Sequence, residues 1–557
     1  MEKIWLKSYD PGVPHEISDY PATKTLISLF DEAVASFSKR SALVYLGKYI
    51  SYKELDRLSR GAAMLLQSLG VKPGDRVVLH LPNIPQFVIA YLGILRLGAI
   101  AVPVNPLYHD IDLNRVLEKT QPRAIITLTK FVESIHPVTK QFLDLLVLAV
   151  QVKEYLPFLK RFLFTLCLEK KGGHRLPDRL GNTLNFDHLL RKQVAHSTEM
   201  PADSEERTVV IQCTGGVTGE PKPTELTNRN LVSNCVQIGR WLEVLFEKGE
   251  ETVAAVAPLF HIYGLTSILN LGLISGSTIV LIPDPRDLKM ILKEIRKNQA
   301  TILPAVPWHF EKWLQMGIDL KQYFRSVKLC VSGGSAIAIE TINDFEKKSG
   351  SRLIQGYGLS EASPTTHINP IVGRHKTGSV GLPLPDTKVK IIDPETRQEV
   401  GPGIIGELYI SGPQVGKGYF NDPEATEAIF DDGWLKTGDI FYYDDDGHFF
   451  PVDRAKDMIY VGHSGFKVYP TQIEAVVKEH PLVEDVAIVG KQLPEGGEVP
   501  VMFIVPKPTG PEVNVAEELC TFCKHRLVHY KVPREIIIVE MIPKTVLGKP
   551  IRRLLRN

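Results

Sequence analysis

Thr214, Gly215, Gly216, Thr218, Gly219 and Lys222 bring backbone N–H groups, hydroxyls and one ammonium together within a single short stretch. Loops of this composition can cradle a polyphosphate, and small residues let the backbone approach its oxygens closely. The stretch is not the common nucleotide-triphosphate loop. Lys222 follows Pro221 rather than Gly, and neither Ser nor Thr comes next. A Gly-rich loop alone is more often an ordinary turn. The full set at the exit of the apolar, strand-like run 208–213 favours phosphate binding.

Four more stretches carry groups suited to nucleotide chemistry. Gly356 and Gly358 flank Tyr357, with Ser360 and Glu361 just beyond. An aromatic face can stack on adenine, a hydroxyl can meet phosphate and a carboxylate can hold Mg²⁺. Taken alone, that stretch reads better as a strand-to-loop turn with a surface Glu. Asp439 follows a Thr-Gly turn, where a carboxylate can accept both ribose hydroxyls. Arg454 lies farther on, and a surface ion pair of little worth is the plain alternative for both. Lys549 follows Gly548 between Pro543 and Pro550. A solvated basic tail is its plain reading. Brought to ~4 Å from a phosphate at an effective dielectric of ~20, it would contribute about 4 kcal/mol, a large rate factor.

The elements that must position these groups alternate between helix and strand. Ser51 and Glu54 form a capping box ahead of Leu55, Leu58, Ala62, Leu65, Leu66 and Leu69 at helical spacing, and Gly70 ends that helix. Apolar runs at 77–81, 100–104, 124–128, 253–257, 278–282 and 328–332 predict buried strands, several ending in Gly, Pro or Ser loops. The fold class is therefore α/β for a large N-terminal body, followed by a small α+β unit. In that unit the pattern predicts helices at 470–479 and 516–528, with strands at 483–489, 501–505 and 536–540. A hinge near Lys456 divides a domain 1–455 from a domain 456–557.

Composition narrows the function. The chain has 557 residues, long enough for two domains, and its 65 Lys plus Arg nearly cancel 64 Asp plus Glu. No general field favours nucleic acid. Six cysteines in this length predict a reducing compartment, and Cys520 and Cys523 read as two semi-buried thiols. The N-terminus shows no apolar signal core, which predicts a cytoplasmic protein. The stretch 142–167 mixes large apolar residues with Lys153, Lys160, Arg161 and a breaking Pro157. A buried helix pair is the favoured reading there, and a basic amphipathic surface in peripheral contact with membrane is the other.

The motifs in this order resemble those of the AMP-forming acyl- and aryl-CoA synthetases, the adenylate-forming superfamily. The phosphate loop, the YGLSE element, the TGD element, the DRAKD hinge and the PKTVLGK lysine are all present. PNIPQF, VPVNPLY, APLFHIYGLT, GPQVGKGYF and FCKHRLVHYKVPR are most similar to bacterial long-chain fatty acid–CoA ligases. The resemblance implies activation of a fatty acid by Mg·ATP to an acyl-adenylate, then transfer to CoA with release of AMP. It implies Lys549 on the developing charge, Glu361 on Mg²⁺, and Tyr357 with Gly333, Gly334 and Ser335 around adenine. It also implies Asp439 and Arg454 on ribose, His261 at the junction of acyl and thiol channels, and rotation of the small domain about Lys456. Dimers occur in that branch, so a homodimer is a further expectation. Two other readings remain: an enzyme that loads a carrier protein, and a non-catalytic acyl- or nucleotide-binding protein.

The chain departs from the pattern at Val217, Pro223, Glu225 and Asn228, and Gly462 and His463 lengthen the loop after the hinge. Pro223 removes an N–H, worth ~1.5–3 kcal/mol if that group met a phosphate. Glu225 would oppose a phosphate ~4 Å away by about 4 kcal/mol, but only about 0.5 kcal/mol if turned ~8 Å off through water. The strand alternation that buries Leu226 predicts the outward position.

Overall fold

The computed structural model describes residues 3–21, 23–108, 110–175, 183–193, 204–214, 221–335, 337–373, 376, 378–454, 457–461, 466–493, 498–508, 514–527, 529–545 and 548–556. Gly215, Gly216, Val217, Thr218, Gly219, Lys456, Gly462 and His463 lie outside these residues.

The six apolar runs all form strands. Val77, Val78 and Leu79 are fully buried in a strand at Arg76–His80, paired in parallel with Ile100–Pro103 on one side and Ala124–Leu128 on the other. These belong to an eight-stranded sheet that continues through Thr208–Thr214 and Lys222–Thr227 to a two-residue edge strand, Gly418–Tyr419. A nine-stranded sheet carries Thr252–Ala255, Thr278–Leu281, Ile302–Ala305, Leu329–Ser332 and Arg352–Gly358, parallel throughout that stretch. Apolar residues on both faces of such strands let helices cover both sides.

The helix at Tyr52–Ser68 starts where Ser51 accepts a hydrogen bond from the Glu54 amide at 3.1 Å, and it packs on the helix at Pro85–Leu97. That second helix is buried along its entire length and stops at Gly98, whose φ of 80° is readily accessible only without a side chain. The apolar stretch 87–104 is thus core. Among the described residues no helix is long and apolar enough to cross a membrane.

A third sheet is built from Lys388–Ile392, Gly406–Ser411, Phe430–Asp431, Trp434–Tyr443 and Phe449–Arg454. The fourth lies wholly after residue 456. It pairs Phe466–Val468, Ile459–Val461, Glu498–Pro506 and Val483–Gln492, with Glu535–Ile538 parallel to Glu498–Pro506. Helices Pro470–Lys478 and Val515–Arg526 bury Ile473, Val477, Leu519 and Cys523 against it. Cys520 is half-buried and Cys523 buried, both as free thiols.

The stretch 142–167 departs from the favoured expectation. It is not a buried helix pair. Leu146–Val150 is a strand of the eight-stranded sheet, and Phe158–Cys167 is a helix with no buried residue. Apolar content alone does not separate a core strand from an outward-facing helix.

Candidate functional site

A cleft of about 2040 Å³ is lined by both the large body and the small C-terminal unit. The strand exits of the two large sheets open onto it, as ligand sites in open α/β sheets do. Of the expected site residues that are described with their side chains, all line it: Lys222, His261, Gly333, Gly334, Ser335, Gly356, Tyr357, Gly358, Ser360, Glu361, Asp439, Arg454 and Lys549.

Thr214 ends its strand and Lys222 begins the next, paired with each other in antiparallel register. Lys222 therefore stands on a strand rather than within the loop. The extended backbone that Pro223 imposes on its predecessor suits this position. Its ammonium lies 5.0 Å from the centre of the Tyr419 ring, within cation–π range.

Tyr419 also donates its phenolic O–H to Glu361 Oε1 at 2.8 Å. Burial, and then the Glu361 carboxylate, push that phenol well above its ordinary range. One side chain thus orients the carboxylate and carries the lysine. The sequence reading missed Tyr419, although it lies inside the GKGYF element. Its partner is 58 positions away, and only the sheet pairing of Tyr419 with Thr224 brings it close.

Asp439 and Arg454 are register partners on adjacent antiparallel strands. Arg454 Nε lies 2.6 Å from Asp439 Oδ1, while Tyr357 donates its O–H to Asp439 Oδ2 at 2.7 Å. Burial and the Asp439 carboxylate hold the Tyr357 phenol un-ionised. The Tyr357 ring meets Phe441 and His367 edge-on, with centroids 4.9 and 5.7 Å away. Gly358 is obligatory here, since an added Cβ would fall 2.0 Å from the Pro364 carbonyl oxygen. Gly333 lies against the Tyr263 ring, with a Cβ placed there only 3.0 Å from Cζ, and Tyr263 donates its O–H to the Val331 carbonyl at 3.0 Å.

His261 Nδ1 accepts the Tyr263 amide at 3.2 Å. Burial, reinforced by the Lys549 ammonium, lowers its pKa to about 4, so the imidazole is neutral near pH 7. Lys549, carried on the C-terminal unit, thereby acts electrostatically on a side chain of the large body. The Thr545 amide donates to the Lys549 carbonyl at 2.8 Å, and Gly548 takes a φ of 82° in that turn.

The cleft also has an apolar reach. Ile238, Ile302, Ile354 and Ile368, all buried, line it with Leu242. Trp308 lines it as well, whereas His309 and Gly264 do not. His309 Nε2 instead meets the Pro285 carbonyl at 2.9 Å, and Gly264 closes on Pro258 O, 2.2 Å from an added Cβ. Among the described residues no group of three or more His, Cys, Asp and Glu side chains could hold a metal unaided. A single cleft carboxylate fits Mg²⁺ that arrives already bound to phosphates.

Residues 30–420 match the profile of the AMP-binding enzymes, and residues 472–549 match that of their C-terminal domain. The chain is 38% identical to a long-chain-fatty-acid–CoA ligase of Bacillus subtilis, over 99% of this chain and 97% of that one. It is 36% identical to the long-chain-fatty-acid–CoA ligase of Salmonella typhimurium, covering 100% and 98%. Its fold is similar to O-succinylbenzoate coenzyme A synthetase of Bacillus subtilis in complex with AMP. There the TM-score is 0.78 at 26% identity, over 96% of this chain and 99% of the other.

Proposed function

Since the chain belongs to the AMP-binding, adenylate-forming enzyme family, we propose that it is an ATP-dependent long-chain fatty acid–CoA ligase. The observation that carries this reading is the meeting of Lys549, from the C-terminal unit, with His261, Glu361, Asp439 and Arg454 of the large body around one cleft. The buried isoleucines give that cleft an apolar wall suited to an alkyl chain. The similarity to two long-chain ligases supports chain length.

In the first half-reaction the fatty carboxylate attacks the α-phosphorus of ATP and pyrophosphate leaves. Lys549 sits between carboxylate and α-phosphate and offsets the charge that develops there. Asp439 receives the ribose hydroxyls, fixed in orientation by Arg454 and Tyr357. Gly333, Gly334 and Ser335 form the adenine wall with Tyr357, while Thr214, Gly215, Gly216, Thr218, Gly219 and Lys222 take the β- and γ-phosphates. Mg²⁺, held by Glu361, would neutralise phosphate charge when bound. Rotation about Lys456 then withdraws Lys549 and admits the CoA thiol past the neutral His261. The thiol, its proton released to water, attacks the acyl carbonyl and displaces AMP, and the thioester leaves.

The test is a turnover assay over short, medium, long and aromatic acids with ATP, Mg²⁺ and CoA, reading AMP and thioester by mass spectrometry. Thioester formation greatest with long chains is expected; none with any acid refutes the proposal. Pyrophosphate exchange separates the other two readings. Exchange lost in Lys549→Ala excludes a binding-only protein. Acyl transfer to a carrier protein but not to CoA would favour carrier loading.

A further inference from the structure

The helix at Phe158–Cys167 is inverted relative to an ordinary surface helix. Phe158, Leu159, Phe162, Leu163 and Leu166 are each between 51% and 87% exposed, and Leu168 follows at 55%. At 100° per residue the five helical side chains cover an arc of about 140°, one continuous outward face. With Leu168 they present on the order of 600 Å² of apolar surface, at the upper end of what a monomer leaves to water.

The inward side is held by two polar contacts and one ring contact. Arg161 pairs with Glu154 at 3.2 Å, Lys160 donates to the Leu46 carbonyl at 2.7 Å, and the Phe164 ring packs on His174 at 5.1 Å. The apolar face is therefore turned out by construction.

Its surroundings are cationic. Lys170, Lys171 and Arg175 are exposed along the same segment. The only carboxylate between residues 155 and 175 is Glu169, buried in a 2.5 Å ion pair with Lys153. Pro157 packs beside Gly47, at a turn that carries Lys48 and the exposed Tyr49, and Lys297 Nζ reaches the same glycine. In a chain of net charge +1 this is a local excess of positive charge.

We propose that this face docks on an anionic lipid bilayer, with the helix lying in the interface plane. The phenylalanines and leucines enter the acyl boundary, and the surrounding lysines meet the lipid phosphates. A second copy of the chain suits the patch less well. A two-fold contact would press one cationic rim against its own copy. The proposal stands apart from the identity of the acid, because none of these residues lines the cleft.

The experiment is co-sedimentation of the full chain with phosphatidylglycerol–phosphatidylcholine vesicles and with phosphatidylcholine vesicles alone. The parent protein should pellet with the anionic vesicles and be released by high salt. Phe158→Ser/Phe162→Ser/Leu166→Ser should lower partitioning by about tenfold or more, with turnover of a soluble short acid unchanged. Lys170→Glu/Lys171→Glu should weaken binding to anionic vesicles only, and it decides the matter should the triple variant lose its fold. Parent protein left in the supernatant, or a folded triple variant that pellets equally, overturns the proposal. So does a dimer in light scattering that the triple variant dissociates while vesicles bind nothing; that outcome assigns the face to a second copy.

Discussion

Replacing Tyr419 with Phe tests whether its hydroxyl sets the geometry of Glu361. The substitution removes one O–H···Oε1 contact of 2.8 Å and leaves the ring beneath Lys222. A hydrogen bond to a charged group contributes ~1.5–3 kcal/mol. Glu361 is only half-buried and faces the cleft, so water restores part of the loss and the lower figure applies. About 1.5 kcal/mol is roughly tenfold in an equilibrium constant. On the proposed role of this carboxylate in holding Mg²⁺, the loss should appear as a tenfold higher Mg²⁺ requirement, with the rate recovered at saturation. ATP–pyrophosphate exchange measured against Mg²⁺ concentration reads this directly. Tyr419→Leu also loses the ring, and a cation–π contact of about 0.5–1 kcal/mol adds two- to fivefold in the KM for ATP. A Phe variant with parental Mg²⁺ dependence would refute the assignment. So would Phe and Leu variants that behave alike, since packing alone would then explain both.

Three further perturbations follow from the geometry. Gly358→Ala should lower stability by about 1–3 kcal/mol and depress adenylation with it, because backbone rather than a flexible side chain blocks the Cβ; thermal melting with and without AMP checks this. His367 is fully buried among Tyr357, Phe441 and Phe449, and burial lowers its pKa to about 3. As pH falls below the ordinary value of ~6.5 the unfolded chain takes up the proton first, so stability is full above ~6.5 and declines toward about 3. His367→Phe should flatten that decline by at most about 3 kcal/mol, read from urea midpoints at about pH 7 and about pH 4; an unchanged slope would place the titration elsewhere. Pro223→Gly should leave pyrophosphate exchange equal or higher, and a clear fall would show that proline suits the position.

Local signals made much of the fold legible. Ser51, the six apolar runs and Gly70 act within a few residues of themselves, and the structure places each as its chemistry dictates. The cleft residues were legible as a joint pattern, because Lys549, Asp439 and Glu361 sit in short distinctive stretches. Tyr419 was not, since its role exists only after two distant strands pair. The segment 142–167 failed for another reason. Hydrophobicity specifies that a side chain prefers to leave water, and a bilayer satisfies that preference as well as a core does.

The unusual residues around the phosphate loop gain a physical account from the same edge strand. In an antiparallel pair a residue's N–H and C=O point to the same side. Pro223 accepts the Phe420 amide on its carbonyl at 2.8 Å, so the side lacking an N–H faces the segment 418–420. The missing donor costs one ladder bond where that short strand ends. Glu225 is likewise engaged away from the loop. Its carboxylate accepts from Thr208, at the opposite end of its strand from Thr214, and its carbonyl accepts the Lys417 amide at 3.1 Å. The segment 416–420 can lie this close only because of its glycines. A Cβ on Gly416 would come 2.8 Å from the Glu225 carbonyl oxygen, and Gly418 takes a φ of 128°. Gly416 also donates its amide to the Glu361 carbonyl at 2.8 Å. Both departures therefore sit on the seam that delivers Tyr419 to Glu361, so a change at 223 or 225 should act first on that tyrosine and only through it on the nucleotide.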